Sequence, residues 1–597
     1  MPVIGLGESI PSDTAHAVSV SLPTWKANVG YEEGEDWVVN RMTTGYPRGI
    51  QAFAKEIVDR YGSPGQQAML FPTPRVAKRC LDFIVQRISP ELASQVRIFD
   101  FALDKSKELS PVLKKLTSTI SAVLYPSDVF PVAKQYWQHT GEGTSSRRAE
   151  FCHGLFNDDL LIPAARTPPE AVQSRPFRGP RRYTRPGSID GVSSPVPTAP
   201  KRTSPENPVE SIESSTFLEE RFGRNLDLSM VERAKSAIRR RIAGAMAHEV
   251  DMNNGPLPAM TSNTRGIPSL EETDVYLYPA GMNAIFNAHR ALLHAREPAE
   301  SINFGFPYVD TLKILQKFGP GCLFYGHASP EDLDDLEARL KKGERYLGLF
   351  CEFPGNPLLT CPDLTRIRKL ADEYDFAIVI DETIGTFANI NVLPVADIVV
   401  SSLTKIFSGD SNVMGGGLVL NPDSKYYRAL KAAMEEIYED NYWPEDVVFM
   451  ERNSRDYESR VVRTNANSDA ICEVLRNHHL VKRIYYPKSN DSREHYEKVR
   501  LPDGGYGGLL SVVFQRKEYA QAFFDALPLA KGPSLGTNFT LVSPYVLLAH
   551  YQELEWAESF GVDPYLIRVS VGLEDTTELG DIFTDALKAA EAVTVTG

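Results

Sequence analysis

The chain has 597 residues, 42 % apolar and 24 % charged, the balance of an ordinary soluble globular protein. Its formal charge of −14 argues against non-specific nucleic-acid binding, which needs clustered Lys and Arg. Six scattered cysteines without a CxxC pair exclude a disulfide framework and disfavour structural zinc, and no apolar run reaches the roughly 20 residues that span a bilayer.

The opening MPVIGLGESIPSD has no basic segment leading into an apolar one, so a cytoplasmic protein is expected, with neither membrane nor nucleic acid as partner. GLGES lacks the third glycine of a dinucleotide loop and has no clear strand before it. Residues 1–163 read as a folded but irregular extension packing on the core, with short apolar runs such as QAMLFPTP and VRIFDFAL. Residues 164–215 are rich in Pro, Ser and Arg and have too little apolar surface to offset the entropy of ordering, which predicts a disordered linker. Arg178, Arg181, Arg182 and Arg185 read as part of that solvated linker.

From residue 216 the pattern becomes α/β. RAKSAIRRRIAGAMAHE predicts a helix, with Arg239, Arg240 and Arg241 on a solvated or subunit-facing surface. VYLYPAG leads into the helix GMNAIFNAHRALLHA. INFGF and CLFYG precede a helix at SPEDLDDLEARLKKG, where Ser329 caps and Pro330 opens the first turn. YLGLFCEF, FAIVID, DIVVSSL and GGLVLN follow as strands that are apolar throughout, separated by PDLTRIRKLADEY and other helical stretches. Such strands predict a mainly parallel sheet with helices on both faces, over residues 216–421. Residues 422–597 predict a smaller α+β domain with strands in GGLLSVVF and YLIRVSVGL. His478 and His479, adjacent on a predicted helix, read as a surface pair, and no metal site is expected.

Asp381 ends the strand FAIVID, where open α/β sheets place their ligands. Downstream, DIVVSSL runs into Thr404–Lys405 ahead of the glycine-rich FSGDSNVMGGG. A partly desolvated lysine loses pKa and becomes nucleophilic, as Schiff-base chemistry requires. Ser402 and Thr404 could donate to a phosphate, as could the backbone of Gly281 and Met282 at a helix start, and Asp381 could face a protonated pyridine nitrogen. Singly, each feature has a plainer reading as a cap, a turn or a solvated lysine. Their order and spacing together point to pyridoxal phosphate.

The order GM…Y…ExPxNP…D…SxTK…R resembles the Cys/Met-metabolism family of fold-type I pyridoxal-phosphate enzymes. HAVSVSLPTWKANVGYEEGE and EERFGRNLDLSMVERAKSAIRRRIAG are similar to its large fungal cystathionine γ-synthase subgroup. The resemblance implies that Lys405 carries the cofactor and shuttles protons, Asp381 binds its ring nitrogen, and Ser402, Thr404, Gly281 and Met282 hold its phosphate. It implies that Tyr308 stacks on the ring, Asn356 contacts cofactor and substrate, and Arg568, with Ser534 nearby, clamps the substrate carboxylate. It further implies a homodimer or homotetramer in which an arginine reaches the neighbouring phosphate. Arg224, in RFGRN, is favoured for this over Arg48, in YPR, although Phe replaces the family's Tyr beside Arg224. Two more departures are Ala280 in place of a serine and Glu382 in place of the common asparagine.

The implied reaction is γ-replacement on an O-activated homoserine with cysteine as nucleophile. The rivals are a sister enzyme using sulfide or a carbon nucleophile, a γ-lyase, and a non-catalytic scaffold. Retention of Lys405, Asp381 and Arg568 together argues against the scaffold.

Overall fold

The computed structural model describes residues 4–42, 48–109, 113, 116, 118–164, 228–245, 260 and 262–593. The expected linker from residue 165 onward and Arg224 lie outside them.

Residues 4–42 run along the C-terminal part of the chain. They form a short antiparallel ribbon, Ser9–Ile10 with Ser19–Val20, and a helix, Trp25–Glu32. Leu22 N–H donates to the Lys531 carbonyl at 2.9 Å and Trp25 N–H to Asp525 at 2.7 Å, while the Trp25 ring enters the C-terminal core.

Residues 48–164 correct the expectation of irregular structure. Strands β1 (Gln66–Phe71), β2 (Arg97–Leu103), β3 (Ile120–Pro126) and β4 (Leu161–Pro163) make an antiparallel sheet in the order β1-β3-β2-β4. One face, with Leu70, Ala122 and Leu124, packs on helices Arg48–Tyr61 and Ser146–Asn157. The other, with Met69, Val123 and Tyr125, packs on Pro74–Val85 and α1 (Phe130–Thr140). Central strand β3 is buried on both faces, which erases the two-residue alternation that makes a strand legible.

The central sheet follows the expected pattern. After α2 (Leu228–Ile242) come β5 (Val275–Tyr278), α3 (Gly281–Ala295), β6 (Ser301–Phe304), α4 (Val309–Lys317), β7 (Cys322–Tyr325), β8 (Gly348–Glu352), β9 (Ala377–Asp381), β10 (Ile398–Ser402) and β11 (Gly416–Leu420). Their order is β5-β11-β10-β9-β8-β6-β7. The pairs from β10 through β7 are parallel, and β11 and β5 close the other edge antiparallel. Apolar clusters cover both faces, as a parallel sheet requires.

In the C-terminal part, β12 (Val481–Tyr485), β13 (Leu509–Phe514), β14 (Ala530–Lys531), β15 (Leu541–Ser543) and β16 (Ile567–Ser570) form a sheet in the order β12-β13-β16-β15-β14. Helices Tyr457–Arg476, Lys517–Ala526 and Thr576–Glu591 pack against it, giving an α+β arrangement.

One surface expectation and one helix expectation are corrected. Arg241 is buried, donating to Glu451 at 2.8 Å and to Ser454 at 3.0 Å. Arg239 and Arg240 pair with Asp440 and Glu272, so the arginine run ties α2 to its own chain rather than to solvent. His478 and His479 lie in the turn after Tyr457–Arg476, not on a helix; their rings stack at 4.8 Å beside Glu591. Among the described residues no helix is long and apolar enough to cross a membrane.

Candidate active site

A cavity of about 510 Å³ opens at the carboxyl ends of β8, β9 and β10 and the amino end of α3. Residues 533–535, Tyr545 and Arg568 line it from the C-terminal part, and Val18 and Gln138 from the N-terminal parts. The strand ends of an open α/β sheet are where such folds bind ligands. Every described residue of the sequence-based candidate set except Arg48 lines this cavity. Arg48 is exposed and donates to the Met42 carbonyl at 3.1 Å.

Asp381 is fixed at the end of β9 by its neighbour. Its Oδ1 accepts the Thr383 N–H at 2.9 Å and the Thr383 hydroxyl at 2.5 Å. Thr383 Oγ1 in turn accepts the Ser402 N–H at 2.8 Å, tying β9 to β10. Burial pushes the Asp381 carboxyl up to about 6. Its register partner on β8, Glu352, is pushed to about 8, by burial first and then by the Asp381 charge. Glu352 accepts the N–H groups of Tyr308 at 2.5 Å and Asn356 at 3.1 Å and so shapes the cavity rim. Two adjacent buried carboxyls resist ionising together near neutral pH, and a protonated ring nitrogen at Asp381 would supply a counter-charge.

Lys405 faces them from beyond β10. Its Nζ donates to Ser534 Oγ at 3.0 Å. Burial, then the nearby Arg568 charge, lowers its pKa to about 8, so free amine is present near neutral pH, about a tenth of the lysine at pH 7, far more than for an ordinary lysine. Arg568 is itself buried, and its partners are all neutral: the carbonyls of Pro533 at 2.7 Å and Ser534 at 2.8 Å, and Asn356 Oδ1 at 3.3 Å. Among the described residues it has no carboxylate partner, and burial lowers its pKa to about 10. A buried guanidinium without a counter-charge is ready to take an anionic group of a ligand. Asn356 donates to the Tyr545 hydroxyl at 3.0 Å while accepting from Arg568, so one amide orients two cavity walls.

The amino end of α3 completes the cavity. Ala280, its N-cap, has no side-chain oxygen to satisfy the first amides, so those of Gly281 and Met282 stay open to a ligand anion. A side chain at Gly281 would lie 2.6 Å from Ser402 Cβ, so only glycine lets this turn approach β10. The Ser402 hydroxyl makes no hydrogen bond among the described residues. The Thr404 hydroxyl, by contrast, accepts the Gly415 N–H at 3.0 Å and donates to the Gly415 carbonyl at 3.3 Å. Donating to a phosphate would require it to give up that long second bond. Tyr308 and Met414, each 42 % exposed, stand at the mouth.

These residues fit pyridoxal phosphate. An anion cradle, a buried carboxyl with no cation paired to it among the described residues, and a lysine of lowered pKa surround one cavity of suitable size.

The departure at Glu382 has a structural reason. Glu382 and Arg265 are each 1 % exposed and pair in two-pronged fashion at 2.9 and 2.5 Å, with the guanidinium over the Phe387 ring. The carboxylate thus anchors the segment before β5 and leaves the cofactor side to Asp381. Glu382→Ala strands a buried cation and is expected to destabilise the protein by about 3–5 kcal/mol. Urea unfolding checks this, and Glu382→Leu with Arg265→Met should recover most of the loss.

Sequence reasoning gave no role to Glu352, although it opens the ExPxNP motif, nor to Thr383, Tyr545, Gln138 and Asp310. Thr383 and Asp310 were within reach, each two residues after a residue singled out; Tyr545 and Gln138, and the pairing of Glu352 with Asp381, depend on sheet register and long-range packing.

Fold and site together define a fold-type I pyridoxal-phosphate enzyme. The model of the Cys/Met metabolism PLP-dependent enzyme family matches residues 258–588, and that of the fungal trans-sulfuration enzyme N-terminal domain matches residues 49–145. The chain belongs to the Cys/Met metabolism PLP-dependent enzyme family. It is 61 % identical to a cystathionine gamma-synthase of Neurospora crassa, over 99 % of each chain. It is 39 % identical to a cystathionine gamma-synthase of Saccharomyces cerevisiae, over 98 % of this chain and 99 % of that one. A cystathionine gamma-synthase-like enzyme of Amanita muscaria, iboG2, is 40 % identical over 98 % and 97 %. Among solved structures, cystathionine gamma synthase from Xanthomonas oryzae pv. oryzae, in complex with aminoacrylate and cysteine, superposes with a TM-score of 0.48 at 23 % identity, covering 60 % of this chain and 98 % of that one.

Proposed function

We propose that the protein is a cystathionine γ-synthase, joining cysteine to an O-acylated or O-phosphorylated homoserine. The observation that carries this reading is the single cavity shared by Lys405, Asp381 and the uncompensated Arg568. The 61 % identity to the Neurospora crassa enzyme supports the choice of reaction.

In this reading Asp381 would hold the ring nitrogen, and Ser402 with the Gly281 and Met282 amides would hold the phosphate. Thr404 positions that wall through Gly415, and Tyr308 at the mouth would face the cofactor. Bound there, pyridoxal phosphate supplies an electron sink conjugated with the substrate α-carbon. Arg568 would take the substrate carboxylate, and Asn356 and the carbonyls of Pro533 and Ser534 hold its guanidinium in place. Ser534 holds Lys405 Nζ at the same wall, so the amine stands beside the α-carbon of a substrate clamped by Arg568. Lys405, with a pKa of about 8, can both take a proton there and return it near neutral pH. The leaving group on the γ-carbon and the incoming thiolate use the mouth lined by Tyr308 and Met414.

A homodimer at least, and a tetramer by family resemblance, is part of this proposal, since a neighbouring chain at the mouth would cover the two exposed side chains. A cytoplasmic location is proposed on six free cysteines, five of them buried.

The test is incubation of the cofactor-loaded protein with O-acetyl-, O-succinyl- or O-phosphohomoserine and cysteine, with products read by mass spectrometry. Cystathionine is expected. Homocysteine formed from sulfide, without cystathionine from cysteine, would move the assignment to a sister enzyme. Arg568→Lys, which loses the two-pronged fork, should raise the KM for the homoserine ester roughly 10–100-fold with a smaller effect on kcat.

A further inference from the structure

His139 and Gln138 sit on α1, outside the segment that carries Lys405, Asp381 and Arg568, yet both end on a carboxylate of the active-site wall. His139 Nδ1 lies 2.7 Å from Asp310 Oδ1, with both side chains almost fully buried. Gln138 Nε2 donates to the same oxygen at 3.3 Å, and Gln138 and Asp310 both line the cavity. On the far side of the imidazole, Lys317 Nζ stands 3.2 Å from Nε2 and donates to Gln135 at 2.9 Å. An ammonium can only donate, so Nε2 accepts and the imidazole proton is on Nδ1, pointing at Asp310. α4 therefore clasps His139 from both ends: Asp310 in its first turn and Lys317 in its last. Asp310 lies two residues after Tyr308, in the first turn of the helix that Tyr308 caps, and its charge acts on the Tyr308 phenol. Tyr308 is otherwise 42 % exposed, so packing alone does not fix it.

We infer that His139, assisted by Gln138, is a positioning residue of the active site, locking Asp310 so that its carboxylate orients Tyr308 at the cofactor cavity. The fungal-type N-terminal sheet unit is then a working wall of the site rather than an appendage. This rests on the cofactor reading given above.

The test compares His139→Ala, His139→Asn and His139→Gln in the full-length, cofactor-loaded protein. Three quantities are read: kcat, the cofactor dissociation constant and the visible circular dichroism of the bound cofactor. His139→Ala is expected to bind the cofactor but to change its circular dichroism and lower kcat roughly 10–100-fold, the effect of a misplaced group at a reacting centre. His139→Asn, whose amide reaches the Nδ1 position, restores both; His139→Gln, whose amide reaches the Nε2 position, does not. Unchanged circular dichroism and kcat in His139→Ala would overturn the inference, as would equal losses in the alanine and asparagine variants. Should His139→Ala fail to fold, Gln138→Leu must show the same dichroic shift in smaller measure, and no shift overturns it. A wild type that binds cofactor but makes no cystathionine would sink the functional proposal alone, since the dichroic comparison still decides the role of His139.

Discussion

Lys405→Ala is expected to lower kcat by roughly 10³–10⁴-fold or more, because in the proposed function Lys405, the only lysine among the described residues that line the cavity, would be both the cofactor anchor and the base beside the substrate α-carbon. The fold should be unaffected. Among the described residues the side chain makes one hydrogen bond, to Ser534, and its burial as a cation is unfavourable, which is why its pKa falls to about 8. A second consequence follows from that value. In the cofactor-free wild type, the reactive species is the free amine, whose fraction grows as pH rises through about 8. Capture of added pyridoxal phosphate is therefore expected to accelerate from pH 6.5 towards 8.5 and to level off above it. Stopped-flow absorbance measures this, and Lys405→Ala should show no such covalent phase. A variant that kept more than a tenth of wild-type turnover would remove Lys405 from the chemistry.

Asp381→Asn is the second large effect. The substitution keeps shape and the Thr383 contacts but removes the charge. A loss in kcat on the order of 10²–10³-fold is expected, comparable to deleting one preorganised electrostatic contact at a developing charge. The direction with pH can be worked out. Burial raises the carboxyl to about 6, so it is protonated below that pH and cannot hold a protonated ring nitrogen. Cofactor affinity of the wild type should accordingly fall as pH drops through about 6, and Asp381→Asn should bind weakly without that step. Equilibrium titration at several pH values separates the two. Equal pH dependence in both proteins would place the titration elsewhere, with Glu352 the first alternative, although its value of about 8 puts its step two units higher.

The parts of this account that were legible in the sequence share a physical cause. The strands of the central sheet are apolar throughout because both faces are covered, and the helices between them carry caps such as Ser329, so element type and order could be read directly. Asp381 and Lys405 were legible because one ends a buried strand and the other follows one. Arg568, Tyr308 and Asn356 came from resemblance, and nothing local marks them.

The parts that were not legible depend on distance along the chain. Asp310 meets His139 across 171 positions and Arg265 meets Glu382 across 117. Arg239, Arg240 and Arg241 were misread because a run of charge usually marks a solvated face, whereas here each arginine finds an acid on another element. The N-terminal sheet was misread because its central strand is buried on both sides and shows no alternation. Glu352 opens the ExPxNP motif, but its place beside Asp381 became visible only once β8 and β9 were in register.

The central claim is that one lysine at the end of β10 carries the cofactor. The most direct measurement is borohydride reduction of the pyridoxal-phosphate-loaded protein, followed by peptide mass mapping. The account predicts a single phosphopyridoxyl mass increment on the peptide containing Lys405. An increment on a different lysine, or none on a protein shown to have taken up the cofactor, would contradict it.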